Sequence, residues 1–205
     1  TDSTAQYNIA VGATALDAIT TGDGNVAVGY NALTALTTAV NTIAIGYGAA
    51  AAITTTDTKG TYIGYSAGAA VTSGAENILI GYQTGDALTT GGDNIAIGNQ
   101  ICQNITQFGP GLLQNVLIGN NISSSIGSQQ AFQNCVAVGS FAGRDLNSGY
   151  YNTLVGSSAG YNTDSGDYNT LVGGRAGYGG AGSNFHRNVV MGYNALASSN
   201  SASYN

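Results

Sequence analysis

Few side chains in this chain could carry out chemistry. There is one histidine, His186, in the run Asn184-Phe185-His186-Arg187. A hydrolase triad would set it beside a Ser or Cys nucleophile and a carboxylate, and beyond abundant serine nothing groups those types. The ten acids could in principle supply a glycosidase pair. They fall mostly in turn signals, as Asp23, Asp93 and Asp167 do, and turn chemistry accounts for them. Zinc asks for clustered Cys and His, and there are two cysteines, Cys102 and Cys135. They read either as buried thiols or as a bridge between two loops, and two are too few for a disulfide scaffold. Calcium asks for converging oxygens; Asp164 and Asp167 stand close, inside a turn signal. No Gly-x-x-x-x-Gly-Lys-Ser/Thr phosphate loop occurs. The expectation is a chain with no catalytic residues, no metal and no cofactor, and so not an enzyme.

Surface chemistry offers more. Tyr30, Tyr47, Tyr65 and Tyr82 recur at the same place in a repeat and are candidate contact residues. A tyrosine presents a flat apolar ring and a hydroxyl, which suits carbohydrate or protein. The same residues could equally cover a corner and stack on one another. Asn104-Ile-Thr and Asn121-Ile-Ser match the glycosylation acceptor pattern. Charge excludes other partners. Only 7% of residues are charged and the net charge is −6, against a usual charged share of about 25%. Four cations, Lys59, Arg144, Arg175 and Arg187, do not make a phosphate-tracking surface, so no nucleic-acid partner is expected. No apolar run reaches the ~20 residues of a membrane helix, and no membrane insertion is expected.

The elements that would position these residues come from an internal repeat. Asn25-Val26-Ala27-Val28-Gly29 recurs as Asn77-Ile78-Leu79-Ile80-Gly81, Asn94-Ile95-Ala96-Ile97-Gly98 and Asn169-Thr170-Leu171-Val172-Gly173, among eleven copies. Their anchor glycines are 12, 29, 46, 64, 81, 98, 119, 139, 156, 173 and 192, spaced by 17–21 residues. The residues one and three before each anchor are almost always β-branched and share one face of a strand. The residue between them, Ala in five copies, leaves the other face apolar too. A strand apolar on both faces is usually buried on both. Ala stands three after the anchor in eight copies, and an apolar column follows at seven after it, from Ile19 and Leu36 to Leu146.

Each repeat thus reads as strand, bend, short second strand and turn, with the recurrent Asn as a stacked amide ladder. The fold class is all-β: a parallel β-solenoid or β-roll of about eleven 17–21-residue repeats, stabilised between neighbours. Residues 1–205 read as a single repeat region, a fragment of a longer array, with longer loops near 99–114 and 120–133. Two places suit the Ala columns: a threefold axis between chains, or a narrow single-chain core.

The Asn-x-Ala-Ile/Val-Gly-x-x-Ala phrase, clearest at 25–33 and 188–196, resembles the repeats of tail fibres and surface proteins of phages and large viruses. It is also similar to the head β-roll of trimeric autotransporter adhesins, whose repeats are typically shorter. The resemblance implies a homotrimer used as an attachment fibre. On this basis the chain is expected to be a structural and adhesive segment on a virion or cell surface. Its partners would be itself, as a homotrimer or stacked end to end, and a host-surface glycan or protein receptor. The alternatives are a self-assembling extracellular filament subunit and an ice-binding β-solenoid. The latter needs a regular Thr lattice, whereas the pairs at 20–21, 37–38 and 89–90 read as not kept from coil to coil.

Overall fold

The structure is a computed structural model and describes residues 4–54, 59–103, 114–123, 132–146, 149–180, 183–198 and 201–203. The strands in chain order are β1 (Ile9–Val11), β2 (Val26–Val28), β3 (Ile43–Ile45), β4 (Thr61–Ile63), β5 (Ile78–Ile80), β6 (Ile95–Asn99), β7 (Val116–Asn120) and β8 (Phe132–Gln133). They continue with β9 (Val136–Val138), β10 (Gly149–Tyr150), β11 (Thr153–Val155), β12 (Thr163–Ser165), β13 (Thr170–Val172), β14 (Ser183–His186), β15 (Val189–Met191) and β16 (Ser201–Ser203).

The repeat strands form one eleven-stranded sheet, β1-β2-β3-β4-β5-β6-β7-β9-β11-β13-β15. Every pair is parallel and pairs equivalent repeat positions, as Ile78↔Ile95 and Leu79↔Ala96 do. The chain is therefore the expected β-solenoid, each repeat adding one strand at a rise of about 4.8 Å. Among the described residues the short second strand is found only late, as the pair β10-β8 and the trio β12-β14-β16. In earlier coils the same stretch is stacked turn.

Those turns keep hydrogen bonding between coils by a backbone device. The residues two and four after the anchor are both left-handed, as Gln83 (φ 50) with Gly85 (φ 63), and Gln100 (φ 51) with Cys102 (φ 55). Each left-handed residue turns its N–H along the rod. Gln83 N–H reaches back to Tyr65 O at 2.8 Å, and Gly85 N–H reaches forward to Ile101 O at 2.8 Å. At each such non-glycine position a left-handed backbone costs about 1–2 kcal/mol, offset by the inter-coil hydrogen bond of its own N–H, which a plain bend would leave to water.

The core lies inside the single chain, which decides between the two places open to the Ala columns and changes one expectation. The middle residue of each repeat strand points inward: Ala27, Ala44, Tyr62, Leu79, Ala96, Leu117, Ala137, Leu154 and Leu171 are buried. So are Ala32, Ala49, Ala67, Ala142, Ala159 and Ala176, three after the anchor. The Ala columns thus fill a narrow single-chain core and do not line an axis between chains. The β-branched face, in turn, is not buried on this chain. It looks outward in every coil, with Ile43, Ile45, Ile97 and Ile118 exposed at 37–39%.

Volume is matched across that core. Where the middle strand residue is Ala27, the residue four after the anchor is Leu33, and both are fully buried. Where it is Leu79 or Tyr62, the partner is Gly85 or Gly68. A Cβ on Gly85 would stand 2.8 Å from Leu79 Cδ1, and one on Gly68 would stand 2.5 Å from Tyr62 Cδ1. Interiors tolerate neither void nor overlap at this scale, so in these coils one large side chain fills the space between strand and bend; the exchange is not kept where Ala44 meets Ala50 or Ala137 meets Gly143.

Candidate functional site: the outer sheet face and its tyrosine files

The Asn ladder holds the strand starts in line. Asn25 Nδ2 donates to Ala39 O at 2.9 Å, and its Oδ1 accepts from Thr42 N–H at 2.9 Å. Further along, Asn115 Nδ2 donates to Asn94 Oδ1 at 3.0 Å, as Asn94 Nδ2 does to Asn77 Oδ1. Each buried amide therefore ties its own turn to the next coil, which is the ladder the sequence implied.

Three coils fill the ladder slot differently. In one it is Thr42, whose hydroxyl donates to Val40 O at 3.2 Å. In a second it is Cys135, whose N–H donates to Asn115 Oδ1 at 3.0 Å and whose Sγ accepts from Asn152 N–H at 3.4 Å. In the third it is Gly60. There the neighbouring Tyr62 hydroxyl donates to Gly74 O at 3.4 Å. Gly74 lies fourteen residues after the slot, the offset at which Asn25 finds Ala39 and Asn77 finds Gly91. Tyr62 thus takes over the job of the missing amide. Burial holds its hydroxyl well above the ordinary tyrosine range, with a smaller opposing effect from a hydrogen bond with Asn77.

Both cysteines are buried free thiols, so the bridge is not formed. Cys135 sits in the ladder, whereas Cys102 sits in the bend four residues after an anchor, and different columns hold them. Burial pushes Cys102 upward, and pushes Cys135 up to about 11, the latter against hydrogen bonds from Asn152.

On the outer face the residues three and one before the anchor form two apolar columns, and the residue after the anchor forms a third. That third column carries Tyr30, Tyr47, Tyr65 and Tyr82. Their rings stack in a file with centroids 5.2, 5.2 and 5.3 Å apart and interplanar angles of 24°, 10° and 16°. The rings remain 46–51% exposed. Stacking turns their faces toward one another, so the file offers a partner mainly ring edges and hydroxyls. Tyr193 stands in the same column at the far end of the rod, away from the four.

Other aromatic groups were not singled out by the repeat phrase. Tyr151 and Tyr168 stack at 5.2 Å, with Arg187 5.9 Å from the Tyr168 centroid. Tyr161 and Tyr178 stack at 5.0 Å with planes 7° apart. His186 Nδ1 lies 3.6 Å from an Asp167 carboxylate oxygen. The other oxygen of Asp167 accepts from Tyr150 N–H at 3.0 Å. Asp23 does the same for Gln6 N–H at 2.7 Å, so both acids close turns between coils, as expected of them.

Asn104 lies outside the described residues, as do 104–113 and 124–131 of the two long loops. Asn121 is half-buried and left-handed (φ 52), and its Nδ2, the atom a glycan would take, donates to Asn120 Oδ1 at 3.0 Å. The threonines are more regular than expected. Thr20, Thr37, Thr54, Thr72 and Thr89 all stand eight residues after an anchor. The hydroxyls of Thr20, Thr37 and Thr72 donate to the carbonyl of the next threonine at 2.9–3.0 Å. The file is kept through five coils, and these hydroxyl donors serve the backbone.

Among the described residues no cluster of three or more His, Cys, Asp or Glu could hold a metal ion. No family model, no curated protein and no solved structure matches the chain.

Proposed function

We propose that this chain is a structural and adhesive fibre segment of a virion or cell surface, built as a homotrimer around the outer face of its long sheet. The observation that carries the reading is the apolar outer face. Eleven strands give it a length of ~50 Å, and the two β-branched columns cover roughly 500 Å². The largest apolar patch on a typical monomer is about 300–600 Å² and is often functional. Val26, Val28, Ile43, Ile45, Ile95 and Ile97 are half-buried or exposed, with no covering layer from their own chain among the described residues. A second copy supplies a matching apolar surface of the same length and rise. Closure into a ring of copies covers the face on every chain without leaving an open edge of the interface.

A rod made this way is stiff and repetitive. The tyrosine file runs along the margin of the apolar columns, where its edges and hydroxyls remain available beside the interface. Repeated weak contacts along such a rod sum by effective concentration. The Thr file does not favour the ice-binding alternative, because its hydroxyl donors are engaged with backbone carbonyls.

The test is the native mass by light scattering, paired with an Ile45→Asn/Ile97→Asn variant. A discrete trimer that the variant converts to monomer is expected. A monomer at all concentrations would overturn the assembly. Open-ended polymers would make the chain a filament subunit instead. Attachment is tested by deleting the segment from the particle that bears it: binding that survives deletion leaves only a spacer.

A further inference from the structure

The chain carries a net charge of −6 with only four Lys and Arg residues, so where its cations stand is informative. Arg144 and Arg175 belong to different coils, yet both lie against the Tyr161–Tyr178 stack. The Arg144 guanidinium carbon is 5.3 Å from the Tyr161 centroid and 6.0 Å from that of Phe141, and its Nη1 donates to the Tyr161 hydroxyl. The Arg175 guanidinium carbon is 4.3 Å from the Tyr178 centroid. The two rings close their inner faces on each other at 5.0 Å, which leaves the outer faces to the guanidiniums. The result is a column of guanidinium, ring, ring and guanidinium running along the rod axis.

Neither guanidinium has a carboxylate partner among the described residues; the ion pair found there is His186 with Asp167, at another corner. Stacking holds a guanidinium parallel to its partner ring, and its N–H groups, other than the Arg144 Nη1 engaged with the Tyr161 hydroxyl, face outward for an oxyanion. Arg175 is exposed and Arg144 is half-buried. Two fixed positive charges without a counter-charge among the described residues, on an otherwise acidic protein, call for an anionic ligand.

We propose that this column binds a sparsely acidic polysaccharide laid along the rod, with one sugar carboxylate on each guanidinium and the intervening sugars against the edges and hydroxyls of Tyr161 and Tyr178. The inference rests on the attachment reading above and names the ligand chemistry of one site on the fibre. The spacing favours sugar over denser polyanions. The two guanidiniums stand two to three coil rises apart, on the order of 10–15 Å. A glycan with a uronic acid at every second or third residue places carboxylates at that interval. A nucleic acid presents a charge every few ångströms and needs many clustered cations, and the rest of the acidic rod would repel it.

The experiment titrates the full chain with a hexasaccharide of alternating uronic acid and neutral sugar, and with its carboxyl-reduced neutral counterpart. Arg144→Gln/Arg175→Gln and Arg144→Lys/Arg175→Lys variants are measured beside it, their circular dichroism confirming the fold. Expected is binding of the acidic form at least tenfold tighter than of the reduced form, loss of that difference in the Gln variant, and partial recovery in the Lys variant. Equal binding of both sugars, or a Gln variant unchanged toward the acidic one, would overturn the site while leaving an attachment role on the tyrosine file standing. Absence of binding by either sugar would overturn the site, and retained particle attachment would still uphold the fibre reading. A densely sulfated glycan or single-stranded DNA of equal length binding as tightly would also overturn it, in favour of unspecific anion binding.

Discussion

Replacing Gly81 by Ala should split the rod at its β5–β6 seam, whereas the same change at Gly192 should be mild. Both are anchors with positive φ, +135° at Gly81 and +119° at Gly192. An L-residue held there carries strain of about 1–3 kcal/mol, and this part is common to both. The surroundings differ. A Cβ on Gly81 would lie 1.6 Å from Gly98 O and 3.0 Å from Thr84 Oγ1, whereas at Gly192 the nearest atom is Ala195 Cβ at 3.9 Å. Relief at Gly81 moves the next coil by more than 1 Å, on a strand spacing of about 4.8 Å. The bonds at that corner then fail, including Thr84 Oγ1 to Gly98 O at 2.8 Å and Gly85 N–H to Ile101 O at 2.8 Å. At about 1 kcal/mol net for each of two or three bonds, Gly81→Ala costs about 3–6 kcal/mol and Gly192→Ala about 1–3 kcal/mol. The assays are urea unfolding followed by circular dichroism and hydrogen exchange of peptides spanning 78–98. Exchange should accelerate at the seam first, because coils support only their neighbours. Equal destabilisation by the two substitutions would refute the steric argument and leave backbone strain as the whole effect.

Two further outcomes follow from single coils. Burial raises the Asp86 carboxyl above its ordinary value of 3.8, against hydrogen bonds from its own and the Ala87 backbone N–H, and Oδ1 has no partner. A raised value means that the native state holds the proton more tightly, so stability is fullest below that ordinary value and falls as pH rises through the raised one. Asp86→Asn should therefore raise the urea midpoint at neutral pH, with the gain fading below pH 3.8; a gain that persists in acid would contradict this. In the Gly60 coil, Gly60→Asn alone should destabilise, since its Cβ would stand 2.4 Å from the Tyr62 ring, and Tyr62→Ala alone should cost about 3–5 kcal/mol. Gly60→Asn/Tyr62→Ala/Gly68→Leu, which copies Asn25, Ala27 and Leu33, should recover most of both losses, and additive losses in denaturant titration would refute the exchange of roles.

Much of the fold was legible because a solenoid repeats its evidence. One glycine spacing implied the strand register, and eight asparagines in one slot implied a ladder. The pairing of bulk, Leu79 with Gly85 and Ala27 with Leu33, was not read, because it shows only once the bend is known to face the strand. Nor was the left-handed backbone. Gln83 and Gln100 carry no mark of it, because the conformation is imposed by hydrogen bonds to the coils on either side and not by local propensity. The Thr file was hidden by reading threonines as adjacent pairs; aligned on the anchor, Thr20, Thr37, Thr54, Thr72 and Thr89 fall in one column. The Arg144 and Arg175 column was hidden for a different reason. Arg144, Tyr161 and Tyr178 all stand five after an anchor, but Arg175 stands two after one, and only the bend brings it to the stack.

The two faces of the strand teach the most. β-Branched residues fit any pleated surface, so Val26 and Val28 mark a strand without saying which side of it is inside. The inside is decided by room. The bend backbone crowds the middle of the repeat strand, as at Gly85 under Leu79 and Gly68 under Tyr62, and leaves little room there for a second large side chain. Ala therefore goes in and Ile goes out, against the order that hydrophobicity alone would give. Among the described residues nothing from the same chain covers the Ile and Val columns it turns outward. Their regularity across eleven strands is therefore unnecessary for folding the monomer, and it is the feature of this sequence that most calls for a partner of equal length and equal rise.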